Sequence, residues 1–334
     1  MHCRFAISDC PLFSGNQTVA SKSAIGNWQL KMLRALHRYA VFVACATFFL
    51  IIAGANVTSH DAGLATSDWP LSNGQVFPRM VGNLFWEHGH RMVATAVGIL
   101  TIILAVYVQF RERRTWVKRL GWAALGAVIA QGLLGGLTVK LNLPLIVSAA
   151  HATLAQLFFL ITVSLAVFTS PRWIAAGAID QTAEGTSVRP MCVLALIVIL
   201  TQLVLGATLR HSATWDQDLP TPLLVAHICG AVVVALVLST TIGFVMSRYR
   251  GESYLTRPAI MAAILLVVQL GLGLAAYVTR MRSPYDPQPL NPMIAVTVAH
   301  VACGALVFAA TIVLTLRIFR TVGVKRSEYR LAHA

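Results

Sequence analysis

Charge is scarce in this chain, and acidic charge most of all: Asp and Glu number 12 in 334 residues, and charged residues of both signs reach only 11%. A soluble domain carries about a quarter of its residues as charge, so that class is excluded. Hydrophobic residues fill 57% of positions and mean hydropathy is +0.72, the balance of a polytopic membrane protein. The segments read below as outer loops hold no thiol, since Cys45, Cys192, Cys229 and Cys303 fall within apolar spans and Cys3 and Cys10 in the amino-terminal tail. This excludes an extracellular disulfide framework. The first apolar span is too long for a cleaved signal, lacks a small-residue cleavage site and follows a polar stretch. The tail before it is expected to be disordered.

A bilayer core needs about 20 apolar residues per helix. Eight such spans are read at 39–58, 88–110, 119–139, 145–169, 190–209, 222–246, 258–279 and 292–318. The formal charge of +14 could point to nucleic acid, but its distribution excludes that partner. Basic residues gather in alternate segments: Lys31, Arg34 and Arg38; Arg111, Arg113, Arg114, Lys118 and Arg119; Arg172 and Arg189; Arg248, Arg250 and Arg257; Lys325, Arg326 and Arg330. The intervening loops hold only Arg79, Lys140, Arg210, Arg280 and Arg282. The positive-inside rule puts both termini in the cytoplasm. The even-numbered spans then run inward from the outer face.

Near the start of each even span stands one histidine: His90, His151, His227 and His300. The span before each ends in a glycine motif, Gln131-x-x-x-Gly135, Gln202-x-x-x-Gly206 and Gln269-x-x-x-Gly273, with Leu50-x-x-x-Gly54 as the variant first copy. Successive histidines are 61, 76 and 73 residues apart, a period suited to a membrane hairpin. Pro144, Pro222 and Pro292 open the later even helices, where a missing N–H costs nothing. A two-helix unit used four times predicts an all-α membrane protein of eight transmembrane helices in two pseudo-symmetric four-helix bundles. The expected divisions are a cytoplasmic tail (1–38), an amino-terminal bundle (39–169), a linker (170–189) with Gly177 and Gly185, a carboxy-terminal bundle (190–320) and a second tail (321–334). Gly132 and Gly136 on an odd helix permit close helix packing or the approach of a flat macrocycle.

Ionisable groups inside a membrane are costly and mark function. A single imidazole there could be a hydrogen-bonded packing residue, but four at equivalent positions of a repeat read as axial ligands of two bis-histidine haem sites. The start of span 2, Asn83-Leu84-Phe85-Trp86-Glu87-His88-Gly89-His90-Arg91, puts Asn83, Glu87 and His90 on one helix stripe. A carboxyl there suits proton transfer or the stabilisation of a developing cation; an ion pair of Glu87 with Arg91, at i+4, is equally open. No acid precedes the other three histidines, so the halves differ. Arg79, Arg91, Arg210, Arg280 and Arg282 are candidates for haem propionates through the bidentate fork of guanidinium, or for interfacial anchors. His60, His88 and His211 read as solvated or interfacial, and His37 as without chemistry.

Glu87-x-x-His90-Arg91, the loop Gly63-Leu64-Ala65-Thr66-Ser67-Asp68-Trp69-Pro70-Leu71-Ser72-Asn73-Gly74, the stretch Gly206-Ala207-Thr208-Leu209-Arg210-His211 and the four-histidine repeat resemble the heme A synthase family over nearly all of residues 35–320. The resemblance implies substrate heme O held by His90 and His151, heme b held by His227 and His300, and Glu87 as the catalytic acid. It implies oxidation of the C8 methyl of heme O through a geminal diol to the formyl group of heme A, for cytochrome oxidase, in a bacterial cytoplasmic membrane. Heme O synthase and cytochrome oxidase assembly factors are the implied protein partners beside the lipid bilayer, and a homo-oligomer stays open. Many relatives carry a cysteine pair where this chain has Thr66 and Ser72, so thiol chemistry in that loop is not carried over. Two rivals remain at this point, a diheme electron-transfer cytochrome and a non-catalytic haem-handling factor or transporter.

Overall fold

The computed structural model describes residues 17–177, 179, 188–212, 219–282 and 291–322. Cys3, Cys10, Gly185, Lys325, Arg326 and Arg330 lie outside the described residues, as do residues 178 and 180–187 of the linker, residues 323–334 of the second tail and the side chains of Lys31 and Arg282. The helices are α1 (Gln17–Ser59), α2 (Asn83–Arg111), α3 (Thr115–Lys140), α4 (Leu145–Phe168), α5 (Pro171–Ala175), α6 (Val188–His211), α7 (Thr221–Arg248), α8 (Ser253–Arg282) and α9 (Asn291–Thr321). Among the described residues, all but α5 contain an apolar stretch long enough to cross a membrane, eight in total. Among the described residues there is no strand beyond two isolated bridges. The chain is an all-helical, multi-pass membrane protein.

Two boundaries depart from expectation. The tail read as disordered is helical from Gln17. No proline interrupts residues 17–59, so nothing in the backbone chemistry stops the helix there. Helix α8 begins at Ser253, ahead of Pro258. Proline cannot donate to the carbonyl four residues before it. That acceptor, the Tyr254 carbonyl, receives Arg317 Nη1 at 2.9 Å instead.

Neighbour relations repeat between the halves. Helices α1, α2, α3 and α4 form a closed ring of contacts, and α6, α7, α8 and α9 form a second in the same order. The halves meet through α1 with α9, α4 with α6, and α4 with α9. Each ring has its own apolar core, one around Leu36, Leu104 and Phe158 and the other around Leu238, Leu255 and Ile318. A third cluster, Ile51, Phe159, Ala305 and Ala309, fills the seam between them. Lipid offers no hydrophobic gain for such contacts, so close packing holds them. The carboxy-terminal ends of α4 and α9 are covered alike. His37 Nδ1 on α1 lies 3.0 Å from the Ala166 carbonyl, and Arg189 Nη2 on α6 donates to the carbonyls of Phe319 and Val322 at 3.2 and 2.6 Å. His37, read as having no chemistry, thus meets a carbonyl that α4 leaves unsatisfied.

Candidate haem-binding site

The glycine of each unit faces the histidine of its own hairpin. A Cβ added at Gly54, Gly135, Gly206 or Gly273 would stand 3.1, 3.1, 2.9 and 3.1 Å from Cε1 of His90, His151, His227 and His300 respectively. Carbon atoms rest about 3.5–4.0 Å apart. Only a residue without Cβ lets the preceding helix come this close to the imidazole. The motif's glutamine has a separate task. Gln131 Nε2 donates to the His151 carbonyl at 3.0 Å and lies 3.3 Å from its ring Nε2; Gln202 Nε2 donates to the His227 carbonyl at 2.9 Å and lies 3.0 Å from ring Nδ1. Gln269 Nε2 lies 3.2 Å from Nε2 of His300. Leu50, buried at the equivalent place in the first unit, can do none of this.

Three ring nitrogens, Nδ1 of His90, of His151 and of His300, are buried with no hydrogen-bond partner. An orphaned buried polar atom costs about 1–3 kcal/mol, and three at repeat-equivalent residues indicate groups built to meet a ligand. Among the described residues no three His, Cys, Asp or Glu side chains gather as a metal site. Pairs of imidazoles are what an iron already held by a macrocycle has room for, at its two axial positions. The His227 and His300 ring centroids are 6.4 Å apart with planes at 73°. With metal–imidazole bonds of about 2 Å, two rings on opposite sides of one ion have centroids roughly 6 Å apart, so this pair fits. His151 is within electrostatic reach of His90.

Glu87 is buried, pairs with Arg91 and accepts the Thr66 amide at 3.1 Å. Arg91 also donates from Nη1 to the carbonyls of Asp68 and Leu71, at 2.9 and 2.6 Å, and to Ser72 Oγ at 3.2 Å. Its fork is thereby engaged by the α1–α2 loop. That loop is built around Asp68, which accepts the amides of Asn73 and Gly74 at 2.9 and 2.7 Å and the Thr66 hydroxyl. The Gly74 amide foremost, then the Thr66 hydroxyl, holds the half-buried Asp68 carboxyl well below the usual carboxylate range. Trp69 lies over α3, where a Cβ at Gly136 would stand 2.8 Å from its ring, so that glycine receives an indole; Gly132 has open space beside it. Lys140 Nζ donates to the Ser67 carbonyl at 3.4 Å.

His88 departs from its reading as solvated or interfacial. It is buried, with Nδ1 2.8 Å from Ser72 Oγ. His60 stacks on Trp86 at 3.9 Å between centroids, and Asn83 Nδ2 reaches the Asp61 carbonyl at 3.5 Å rather than Glu87. Arg210 Nη2 donates to Ser59 Oγ at 3.1 Å, joining the halves at the end that carries the histidines. Arg280 and Asp61 are within electrostatic reach of it, whereas Arg79 is exposed. Sequence reasoning missed the parts played by Trp69, His88 and Ser72. The density of turn formers from Ser67 to Gly74 was the only signal of a loop that folds back.

Residues 79–216 match the family model described as Cytochrome oxidase assembly protein. A Heme A synthase of Symbiobacterium thermophilum is 29% identical over 269 residues, 72% of this chain and 85% of that protein. One from Shouchella clausii is 25% identical over 271 residues, covering 74% and 88%. One from Alkalihalophilus pseudofirmus is 29% identical over 141 residues, 40% of this chain and 48% of that one. Fold and site define a polytopic helical membrane protein with one half-buried imidazole seated against a glycine in each of four hairpins. The matched relatives narrow that class: the chain is similar over most of its length to proteins named Heme A synthase.

Proposed function

We propose that this chain is an oxidoreductase that converts the C8 methyl of heme O to the formyl group of heme A, for use in cytochrome oxidase. The observation that carries the reading is the fourfold seating of an imidazole against a helix glycine, with buried ring nitrogens left unpartnered. His227 and His300 would hold heme b in the carboxy-terminal bundle, and His90 and His151 would hold substrate heme O in the amino-terminal one. Heme b, when bound, supplies one-electron redox chemistry.

The protein's own residues position, shield and manage protons. Glu87 is the candidate catalytic residue: its carboxyl lies one turn from His90, aimed by Arg91 and the Thr66 amide, where it can hold or pass a proton during methyl oxidation. Arg91 binds the site through Glu87 and the loop, and that loop, fixed by Asp68 and by Trp69 on Gly136, excludes water from the mouth of the bundle. Arg210, between the halves, is the guanidinium we assign to a propionate. Lysine and arginine counts support cytoplasmic termini and an outer position for all four histidines. An electron-transfer cytochrome would place haems near both faces, and this arrangement has one end occupied. Heme O synthase fits as the supplier of substrate.

The deciding experiment is expression in cells that make heme O, followed by extraction and mass identification of the haems. Heme A in the extract, lost with His90→Ala, supports the reading; unmodified haem from an intact, haem-loaded protein leaves the cytochrome or a haem-handling factor.

A further inference from the structure

The loop between α1 and α2 ends in a segment that does not suit water. From Trp69 to Trp86 the only charged residue is Arg79. Phe77 is 77% exposed, Val81 66% and Phe85 51%, with Val76 and Met80 also exposed beside them. These side chains are held outward by a fixed scaffold. Ser72 and Gln75 exchange backbone hydrogen bonds at 3.0 and 3.1 Å, Arg91 grips the Asp68 and Leu71 carbonyls, and Gly82, at φ 58°, turns the chain into α2 in a conformation that favours glycine. Contiguous exposed apolar area of this kind marks an interaction surface.

Its occupant follows from what it adjoins. Phe85, Met92, Ile99 and Val106 recur every seven residues on α2, two turns apart, and all four are exposed. Such a stripe on a membrane-spanning helix is its lipid-facing side. Phe85 is the top of it, and residues 76–81 extend the same apolar surface beyond the helix start. No carboxylate interrupts the segment, and Arg79 stands among the apolar side chains, as a residue does whose stem lies in hydrocarbon and whose guanidinium meets lipid phosphate. A docked protein would call for a polar rim, which residues 76–85 do not supply.

The same surface leads inward. The ring of Phe85 meets that of Trp86 edge-on at 5.1 Å, and Trp86 stacks on His60. His60 follows the end of α1, the helix whose Gly54 seats His90. We propose that residues 76–85 sit in the headgroup and acyl boundary of the leaflet on the histidine side, and that they form the lip over which a haem dissolved in the bilayer reaches His90. The second half rests on the assignment of His90 to a substrate haem; the first half does not.

Reconstitution of the full chain in nanodiscs containing a phosphatidylcholine with a mid-chain diazirine tests the seating. After illumination, adducts mapped by mass spectrometry should be about fivefold denser at residues 76–85 than at 72–75, and similar to those around Ile99. Equal labelling of the two loop segments, or protein–protein cross-links through 76–85, would overturn the bilayer as occupant. Capture of iron protoporphyrin, followed by its absorbance, tests the lip without any need for turnover. Phe77→Asp should slow capture from phosphatidylcholine vesicles about tenfold and leave capture from detergent unchanged, while Phe77→Leu behaves as the parent. No slowing, or equal slowing from both sources, overturns the lip. A chain that captures haem from vesicles in this manner yet makes no heme A would sink the proposed oxidation and leave the lip standing.

Discussion

Gly206→Ala adds one methyl group at the tightest of the four glycine–imidazole contacts. Its Cβ would stand 2.9 Å from Cε1 of His227, where carbon atoms settle at about 3.5–4.0 Å, so the ring must retreat by roughly 0.6–1.1 Å or α6 must move off α7. Overpacking of this kind costs about 1–3 kcal/mol, against a gain of about 1 kcal/mol from replacing glycine by alanine within a helix. Net stability therefore changes by no more than about 2 kcal/mol, and the protein still folds. The placement of the imidazole suffers more, since His227 would have to hold a haem iron through a bond of about 2 Å, and a shift of this size would strain it. Purified Gly206→Ala should show part of its iron shifted from low to high spin, by electron paramagnetic resonance and by the visible bands, with Gly273→Ala, at 3.1 Å, affected less. Gly271→Ala, two residues away on α8 with nothing within 4 Å of the added Cβ, is the control and should leave the spectrum alone. An unaltered low-spin spectrum in Gly206→Ala, at full haem content, would refute the idea that glycine is there to seat the ring.

His227→Ala and His300→Ala should each release heme b or turn it high-spin, while His90→Ala and His151→Ala mainly lower conversion of heme O; spectra of the purified variants with the opposite partition would reverse the assignment of the halves. Glu87→Gln keeps an acceptor for the Thr66 amide and removes the ionisable proton, so haem content should hold while the heme A to heme O ratio falls about 10²-fold; a near-normal ratio removes Glu87 from the mechanism. Asp68 has a folded pKa below its unfolded one, so its contribution to the loop is complete above the ordinary carboxylate pKa, near 4, and is lost as pH falls through the depressed folded value. Protection of the Asn73 and Gly74 amides against hydrogen exchange, taken relative to the intrinsic rate at each pH, should fall across that acid window, and Asp68→Asn should remove that fall.

The hairpin repeat was legible because it is one-dimensional: a histidine, a glycine and a fixed helix polarity can be read by spacing alone. The eight spans emerged in the same way, from the length of apolar runs. What the glycine touches was not legible, since the distance from Gly206 to the His227 ring belongs to two helices whose rotation no local pattern fixes. His88 was misread for a related reason. Its place on the helix, away from His90, says nothing about a loop returning from residue 72 to cover it. Arg91 was left open between Glu87 and a propionate, and the fold engages it with Glu87 and three loop oxygens, because the turn built on Asp68 brings those oxygens within reach of the first turns of α2. Thr66 and Ser72 are both buried and tied by hydrogen bonds to Asp68 and His88, so the loop is fixed there without a covalent bridge.

The first unit's departure from the motif bears on the division of labour between the halves. A glutamine amide set against a histidine's ring restricts the rotation of that imidazole, and such outer contacts raise affinity about 10–100-fold in metal sites. Gln131, Gln202 and Gln269 provide it for His151, His227 and His300. Both ligands assigned to heme b have the restraint, as a cofactor that stays in place requires. Of the two ligands assigned to heme O, His90 has Leu50 where the amide would be, and the nearby polar groups Glu87 and Arg91 bind each other and the loop instead. A haem held by one restrained and one unrestrained imidazole is bound less tightly than one held by two restrained ones. That difference suits the proposed reaction, in which the amino-terminal site would take in heme O and let heme A go.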